Sequence, residues 1–109
     1  MQILRSDVLT VQVSDFGAEL QSIVKNGYEY LWQGDPAFWG RRSPVLFPIV
    51  GSVWEKKYKV DGKEYGMGQH GFARDSRFEL ISASDSEVWY RLESSADSLS
   101  KYPWPFVLE

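Results

Sequence analysis

Chemistry in this chain would depend on one histidine and a few long polar side chains. His70 is the single imidazole, and it lies in the sequence Gln69-His70-Gly71-Phe72-Ala73-Arg74-Asp75. An imidazole can donate to or accept from a hydroxyl group at neutral pH, and Gly71 leaves space beside the ring for a ligand or another backbone. Gln69 and Arg74 are the further candidates for substrate contacts in this segment. Spacing alone leaves two interpretations open for each residue: a contact to a ligand, or a structural role within the loop.

A second unusual segment follows two adjacent arginines. Arg41 and Arg42 precede residues 43–51, which carry no charge, and Pro48 interrupts any central strand there. In one interpretation the segment is buried and both guanidinium groups extend to water. In the other, a guanidinium lies at the mouth of a pocket that has Trp39 or Phe47 as a stacking wall, an arrangement that suits the C–H faces of sugars. The sequence does not decide between them.

Composition excludes several kinds of chemistry. The 109 residues include no cysteine and one histidine, too few for the usual nitrogen and sulfur shell of a metal site, so we predict no metal. The glycine pattern at residues 66–71 lacks the following helix that a dinucleotide loop needs. A net charge of −3, and acidic residues interspersed in the lysine-rich segment 55–64, argue against nucleic acid and membrane partners. With no cysteine and no recognisable export signal, we expect a cytoplasmic protein.

The elements that must position these residues are predicted to be mainly β. Apolar residues recur at every second position in runs around residues 9–13, 20–24, 28–32, 54–60, 78–80 and 88–92. Asn26-Gly27 and Asp61-Gly62 are typical of two-residue hairpins, and short helical turns are predicted near residues 35–38 and 95–99. Residues 1–109 form part of one domain in this interpretation. Because residues 101–109 resemble the opening of another strand, we expect a fragment whose exposed sheet edges could pair between copies.

Four segments, in this order, resemble the aldose 1-epimerase (galactose mutarotase-like) family, particularly its bacterial epimerase-like branch. They are Gly17-Ala18-Glu19-Leu20-Gln21-Ser22-Ile23, Glu29-Tyr30-Leu31-Trp32-Gln33-Gly34-Asp35, Arg42-Ser43-Pro44-Val45-Leu46-Phe47-Pro48-Ile49-Val50-Gly51 and His70-Gly71-Phe72-Ala73-Arg74-Asp75. The resemblance implies a β-sandwich of twisted antiparallel sheets with a sugar site on its concave face, of which this chain would be the N-terminal portion. It also implies interconversion of the α and β anomers of a hexose or hexose phosphate by acid–base ring opening, without a cofactor.

The resemblance assigns roles position by position. His70 matches the family's first active-site histidine, Arg42 or its neighbour Arg41 matches an arginine that contacts the sugar, and Arg74 matches an arginine that helps to bind phosphate in the sugar-phosphate branch. The family's second histidine and its glutamate, the usual acid and base, have no match here. The chain alone is therefore predicted to be inactive. Two alternatives stay open: a non-catalytic carbohydrate-binding module and a β-rich domain that self-associates.

Overall fold

Short antiparallel strands make up most of the regular structure. The computed structural model describes all 109 residues, Met1 to Glu109. Strands β1 (Gln2–Arg5), β2 (Thr10–Val13), β3 (Leu20–Lys25) and β4 (Tyr28–Glu29) form one sheet in chain order. β5 (Lys57–Val60) pairs with β6 (Lys63–Gly66), while β7 (Glu79–Ala83), β8 (Val88–Glu93) and β9 (Val107–Leu108) form a third sheet. One short helix, α1 (Ala96–Lys101), connects β8 to β9. The prediction of a mainly β, antiparallel chain is confirmed.

The two predicted hairpins are present, and their turn residues explain them. β3 and β4 are joined by Asn26 and Gly27, whose φ angles are 51° and 74°. β5 and β6 are joined by Asp61 and Gly62, with φ angles of 49° and 80°. Positive φ at both central residues is what a tight hairpin turn requires, and these residue types adopt it at low cost.

Both predicted helical turns form through local hydrogen bonds. The hydroxyl oxygen of Ser95 accepts a bond from the Ser98 N–H at 3.1 Å, and the Ser98 hydroxyl oxygen accepts one from the Ser95 N–H at 2.8 Å. This reciprocal cap fixes the start of α1. Earlier in the chain, the N–H groups of Phe38 and Trp39 both donate to the Asp35 carbonyl, at 3.0 and 2.9 Å, and close a single turn.

Two strand predictions are wrong at their ends, and β1 was not anticipated. The run starting at Trp54 opens with a 3₁₀ turn, because Glu55 and Lys56 take φ angles of 52° and 57° that an extended strand cannot contain. The strand predicted across residues 28–32 ends at Glu29. The Glu29 carboxylate accepts hydrogen bonds from the backbone N–H of Ile23 at 2.8 Å and of Leu31 at 3.1 Å.

The hydrophobic core is small and opens on one face. It centres on Val13, Ala73, Phe78 and Tyr90, and burial raises the pKa of the Tyr90 phenol, which lacks a hydrogen-bond partner. The radius of gyration is 16.4 Å, against about 13 Å for a compact chain of this length. The accessible surface of 7348 Å² likewise exceeds the roughly 6,200 Å² expected for a compact protein of this mass.

An apolar groove of about 280 Å³ marks the open face of this core. Its hydrophobic lining comes from β2, β3, β8 and β9, together with the segments that precede β3, β5 and β7. These lining residues are Val13, Ala18, Leu20, Val45, Phe78, Val88, Tyr90 and Leu108. The chain therefore presents to solvent an apolar surface of the kind that normally packs against another layer.

Two irregular loops pack against each other through their main chains. The Phe47 carbonyl accepts hydrogen bonds from the N–H groups of Phe72 and Ala73, at 3.0 and 3.1 Å. Gly71 has a φ of 72°, and a Cβ atom there would overlap the carbonyl of Phe47. On the other side of the same loop, a Cβ on Gly17 would lie 2.8 Å from the Arg74 carbonyl oxygen. Only glycine allows these close approaches.

Gly71→Ala is expected to destabilise the chain far more than Gly27→Ala, although the two glycines share nearly the same φ of 72° and 74°. Nothing lies within 4 Å of a Cβ at Gly27, so that variant should lose only the roughly 1–2 kcal/mol of left-handed strain. Gly71→Ala adds overlap with backbone and should exceed about 3 kcal/mol. Urea unfolding followed by tryptophan fluorescence measures both, and equal losses would contradict the packing described.

Glu29→Gln is expected to lower stability at neutral pH and to do so less in acid. Bonds from the Ser22 hydroxyl and from the N–H groups of Ile23 and Leu31 hold the pKa of the Glu29 carboxyl below its usual value. Because the pKa of Glu29 is lower in the folded state than in the unfolded state, the ionised carboxylate stabilises the fold at pH values above the unfolded-state pKa. This stabilisation is lost as the pH falls through the folded-state pKa. Urea midpoints between pH 7 and pH 3 test this, with Glu64→Gln, an exposed position of β6, as the control. A difference independent of pH would contradict it.

Candidate functional site

The His70 ring is fixed by a reciprocal pair of hydrogen bonds with Gly51. The backbone N–H of His70 donates to the Gly51 carbonyl at 2.7 Å, and the Gly51 N–H donates to Nδ1 of His70 at 2.8 Å. Because Nδ1 accepts a bond, the neutral ring carries its proton on Nε2. His70 also has a φ of 60°, in the left-handed region of backbone conformation. The Nε2 edge is thus the donor that remains for a ligand.

A cleft of about 380 Å³ lies beside this ring, within the range of small-molecule sites. It is lined by Trp39, Pro44, Leu46, Gln69, His70 and Arg74. Of the two aromatic walls that the sequence left open, the structure places Trp39 here. Phe47 instead packs in an aromatic cluster, with ring centroids 5.0 Å from Phe106 and 6.4 Å from Phe72.

Arg74 is mostly buried, with a side chain 15% exposed. Its Nη2 donates to the Gln69 carbonyl at 3.0 Å, so it stiffens the backbone immediately before His70. Its Nε is buried and has no hydrogen-bond partner, since the nearest Asp75 carboxylate oxygen is 3.9 Å away. This buried donor is therefore left unsatisfied within the chain.

The other two predicted arginines are engaged outside the cleft lining. Arg41 pairs with the Asp75 carboxylate at 3.0 Å. Arg42 donates from Nη1 to the Gln21 carbonyl at 2.6 Å and to the Gln33 side-chain oxygen at 3.0 Å. The structure therefore brings together three of the five predicted site residues, Gln69, His70 and Arg74, and places the arginine pair against the neighbouring strand and loop.

Glu19 positions the site, and the sequence analysis did not single it out. Its side-chain Oε1 accepts hydrogen bonds from the backbone N–H groups of Arg42 and Ser43, both at 2.9 Å, and the residue is 8% exposed. The Ser43 hydroxyl donates to the Leu20 carbonyl at 2.9 Å and completes the attachment of this loop to β3. An acidic residue between Ala18 and Leu20, directly before the apolar run at residues 20–24, was the available signal.

The cleft contains hydrogen-bond donors but no carboxylate. None of its six lining residues is a carboxylate, and Asp75 close by is paired with Arg41 and faces Arg74. No three histidine, cysteine, aspartate or glutamate side chains cluster in a way that would hold a metal ion. With six residues in its single α-helix, the chain has no helix long and apolar enough to cross a membrane. The arrangement can bind hydroxyls or an anion and present one imidazole N–H to them.

Comparison with known proteins identifies relatives of this chain in sequence and in fold. Protein LacX of Lactococcus lactis, in its chromosomal and plasmid forms, is 37% identical over 112 residues, which covers 96% of this chain and 37% of that protein. A galactose mutarotase related enzyme from Lactobacillus acidophilus superposes with a TM-score of 0.95 at 37% identity, over 97% of this chain and 36% of that one. A galactose mutarotase-like protein from Lactobacillus casei gives 0.94 at 38% identity, over 98% and 37%.

The chain thus spans little more than a third of the length of these relatives. Their fold confirms the predicted galactose mutarotase type of antiparallel β architecture. The family model for aldose 1-epimerases matches residues 2–109. This match includes all four segments from which the sequence suggested the family, and the chain belongs to the aldose 1-epimerase family.

Proposed function

We propose that this chain supplies one side of a sugar site in a protein that interconverts the α and β anomers of an aldose. The observation that carries the proposal is the cleft in which the free Nε2 edge of His70 lies with Gln69, Arg74 and the Trp39 ring. A cleft that combines hydrogen-bond donors with an aromatic side chain suits a molecule with hydroxyls on its edges and C–H groups on its faces. Membership of the aldose 1-epimerase family supports the reaction class, an isomerisation in carbohydrate metabolism.

The reaction moves only protons. An acid gives a proton to the ring oxygen while a base takes the proton of the anomeric hydroxyl, and the bond between C1 and the ring oxygen breaks. The resulting aldehyde rotates about the C1–C2 bond, and the same steps in reverse close the ring with the other configuration. Each correctly placed acid or base contributes about 10²–10⁴-fold in rate. Because no electrons leave the sugar, we propose no cofactor.

The candidate site residues of this chain bind and position the sugar in that reaction. His70 donates its Nε2–H to a sugar oxygen and holds the ring in place, with its orientation set by Gly51. Arg74 and Gln69 bind hydroxyls or a phosphate group. Arg41 and Arg42, predicted as sugar contacts, are bonded within the chain, so we assign them to holding the walls of the cleft.

Proton transfer needs groups that this cleft does not contain. No carboxylate lines it, and His70 is the single imidazole of the sequence. We therefore propose that the 109 residues alone bind sugar without catalysing mutarotation. A carbohydrate-binding module would use the same cleft in the same way, and the two functions differ in whether an acid and a base complete the site. A cytoplasmic location stays a prediction, with the absence of cysteine as its support.

One observation favours a second role, self-association. The apolar groove between β3, β8 and β9 is open to solvent, and total exposure exceeds the compact expectation by roughly 1,100 Å². Stable protein interfaces bury about 800 Å² on each partner, which is less than this excess over the whole chain.

His70→Asn is expected to weaken sugar binding roughly three- to tenfold, the value of one hydrogen bond. Asparagine tolerates the positive φ of 60° at this position, so the loop should keep its conformation. Backbone amide shifts of the ¹⁵N-labelled chain, followed during titration with D-galactose, D-glucose and D-glucose 6-phosphate, give the affinities. Unchanged affinity in a folded variant would limit His70 to a structural role, and a preference for the phosphorylated sugar would assign an anion to the cleft.

Polarimetry on the same samples tests the absence of catalysis. Fresh α-D-glucose should approach its equilibrium rotation at the rate of buffer alone, with wild type and His70→Asn indistinguishable. A faster change that depends on His70 would show that the chain is itself a mutarotase.

Sedimentation equilibrium tests self-association with two variants on one strand. Leu108 lines the groove, whereas its neighbour Val107 is 61% exposed and lies outside it. Leu108→Asp should shift the population to monomer at concentrations where wild type and Val107→Asp associate. A wild-type chain that stays monomeric at high concentration would exclude this role.

A further inference from the structure

The cleft has a single aromatic side chain, and it is exposed without serving the core. The Trp39 side chain belongs to the apolar part of the lining, together with Pro44 and Leu46. The polar part of the lining consists of Gln69, His70 and Arg74. Half of the residue's surface is accessible to solvent. All five tryptophans of the chain are exposed, and Trp39 is the one that lines the cleft with His70 and Arg74. An indole in that position offers a large apolar surface to a ligand.

Hydrogen bonds to its backbone hold Trp39 in place. The Trp32 indole Nε1–H donates to the Trp39 carbonyl at 2.8 Å, and the Trp39 N–H donates to the Asp35 carbonyl at 2.9 Å. Trp32 is itself held edge-on to Phe38, with ring centroids 6.3 Å apart and an interplanar angle of 75°. Two hydrogen bonds, one from a side chain and one to a main-chain carbonyl, thus fix the Trp39 backbone and leave its ring available to line the cleft.

We propose that Trp39 is the residue that makes this cleft selective for the cyclic pyranose form of a sugar. The inference rests on the proposed function, that the cleft binds an aldose. A pyranose ring has its hydroxyls mainly at the edge and C–H groups on its faces, so one face can lie on the indole while the edge reaches His70 and Arg74. An open-chain polyol has the same hydroxyls but no rigid C–H face. Trp39 should therefore contribute to binding the ring and contribute little to binding the open chain.

The experiment compares D-galactose with galactitol, its open-chain alcohol, by amide-shift titration of the full 109-residue chain. Wild type should bind galactose more tightly than galactitol. Trp39→Ala should weaken galactose binding about five- to tenfold and galactitol binding less than twofold, which removes the preference. Trp39→Phe should retain most of the preference for galactose, because an aromatic ring remains for the sugar to stack on.

Trp54→Ala is the matched control, since this tryptophan is 86% exposed, begins the 3₁₀ turn before β5 and lies outside the cleft. It should leave both affinities unchanged. Because the bonds at Trp39 use its backbone atoms, Trp39→Ala should keep the fold, and its amide spectrum outside residues 32–46 verifies this. If the folded variant loses affinity for both ligands equally, or for neither, the selectivity role is wrong while the sugar site stands. If wild type binds neither ligand, the proposed function is wrong, and this role with it.

Discussion

The site depends on main-chain hydrogen bonds between two loops that belong to no sheet. Phe47 accepts two N–H groups from the loop after Gly71, and Gly51 exchanges two bonds with His70. These bonds bring residues about twenty positions apart into contact, and they set both the tautomer and the orientation of the imidazole. They are possible because Gly71 has no Cβ where the Phe47 carbonyl must pass. Without them, the cleft would lose the wall that carries its hydrogen-bond donors.

The sequence was sufficient for features that depend on neighbouring residues and insufficient for those that depend on distant ones. Alternating apolar residues and the Asn26-Gly27 and Asp61-Gly62 turns predicted hairpins, since a turn fixes its own register. The 3₁₀ turn at Trp54 was missed because its residues also fit a strand pattern. The early end of β4 was missed because it follows from the Glu29 carboxylate reaching across to Ile23, a contact that no periodicity encodes.

The same distinction applies to the site. His70 could be singled out because it is the only imidazole, and residue type limited what it could do. Its partner could not be predicted, because Gly51 bonds through its backbone and leaves no trace in side-chain chemistry. For the adjacent arginines, only tertiary structure decides that one guanidinium meets Asp75 and the other meets Gln21. Whether these residues contact a sugar remains a prediction from family membership and the shape of the cleft.

The way the two loops are joined has a consequence for divergence within such proteins. Bonds between backbone atoms depend little on which side chains the loops carry, except that position 71 must be glycine and the bond from the Gly51 N–H requires the His70 ring. Mutations at Trp39, Pro44 or Leu46 can therefore reshape the cleft while the frame that orients the imidazole persists. Because the frame is held by main-chain groups and the lining consists of side chains, single substitutions in the lining can change which ligand the cleft prefers.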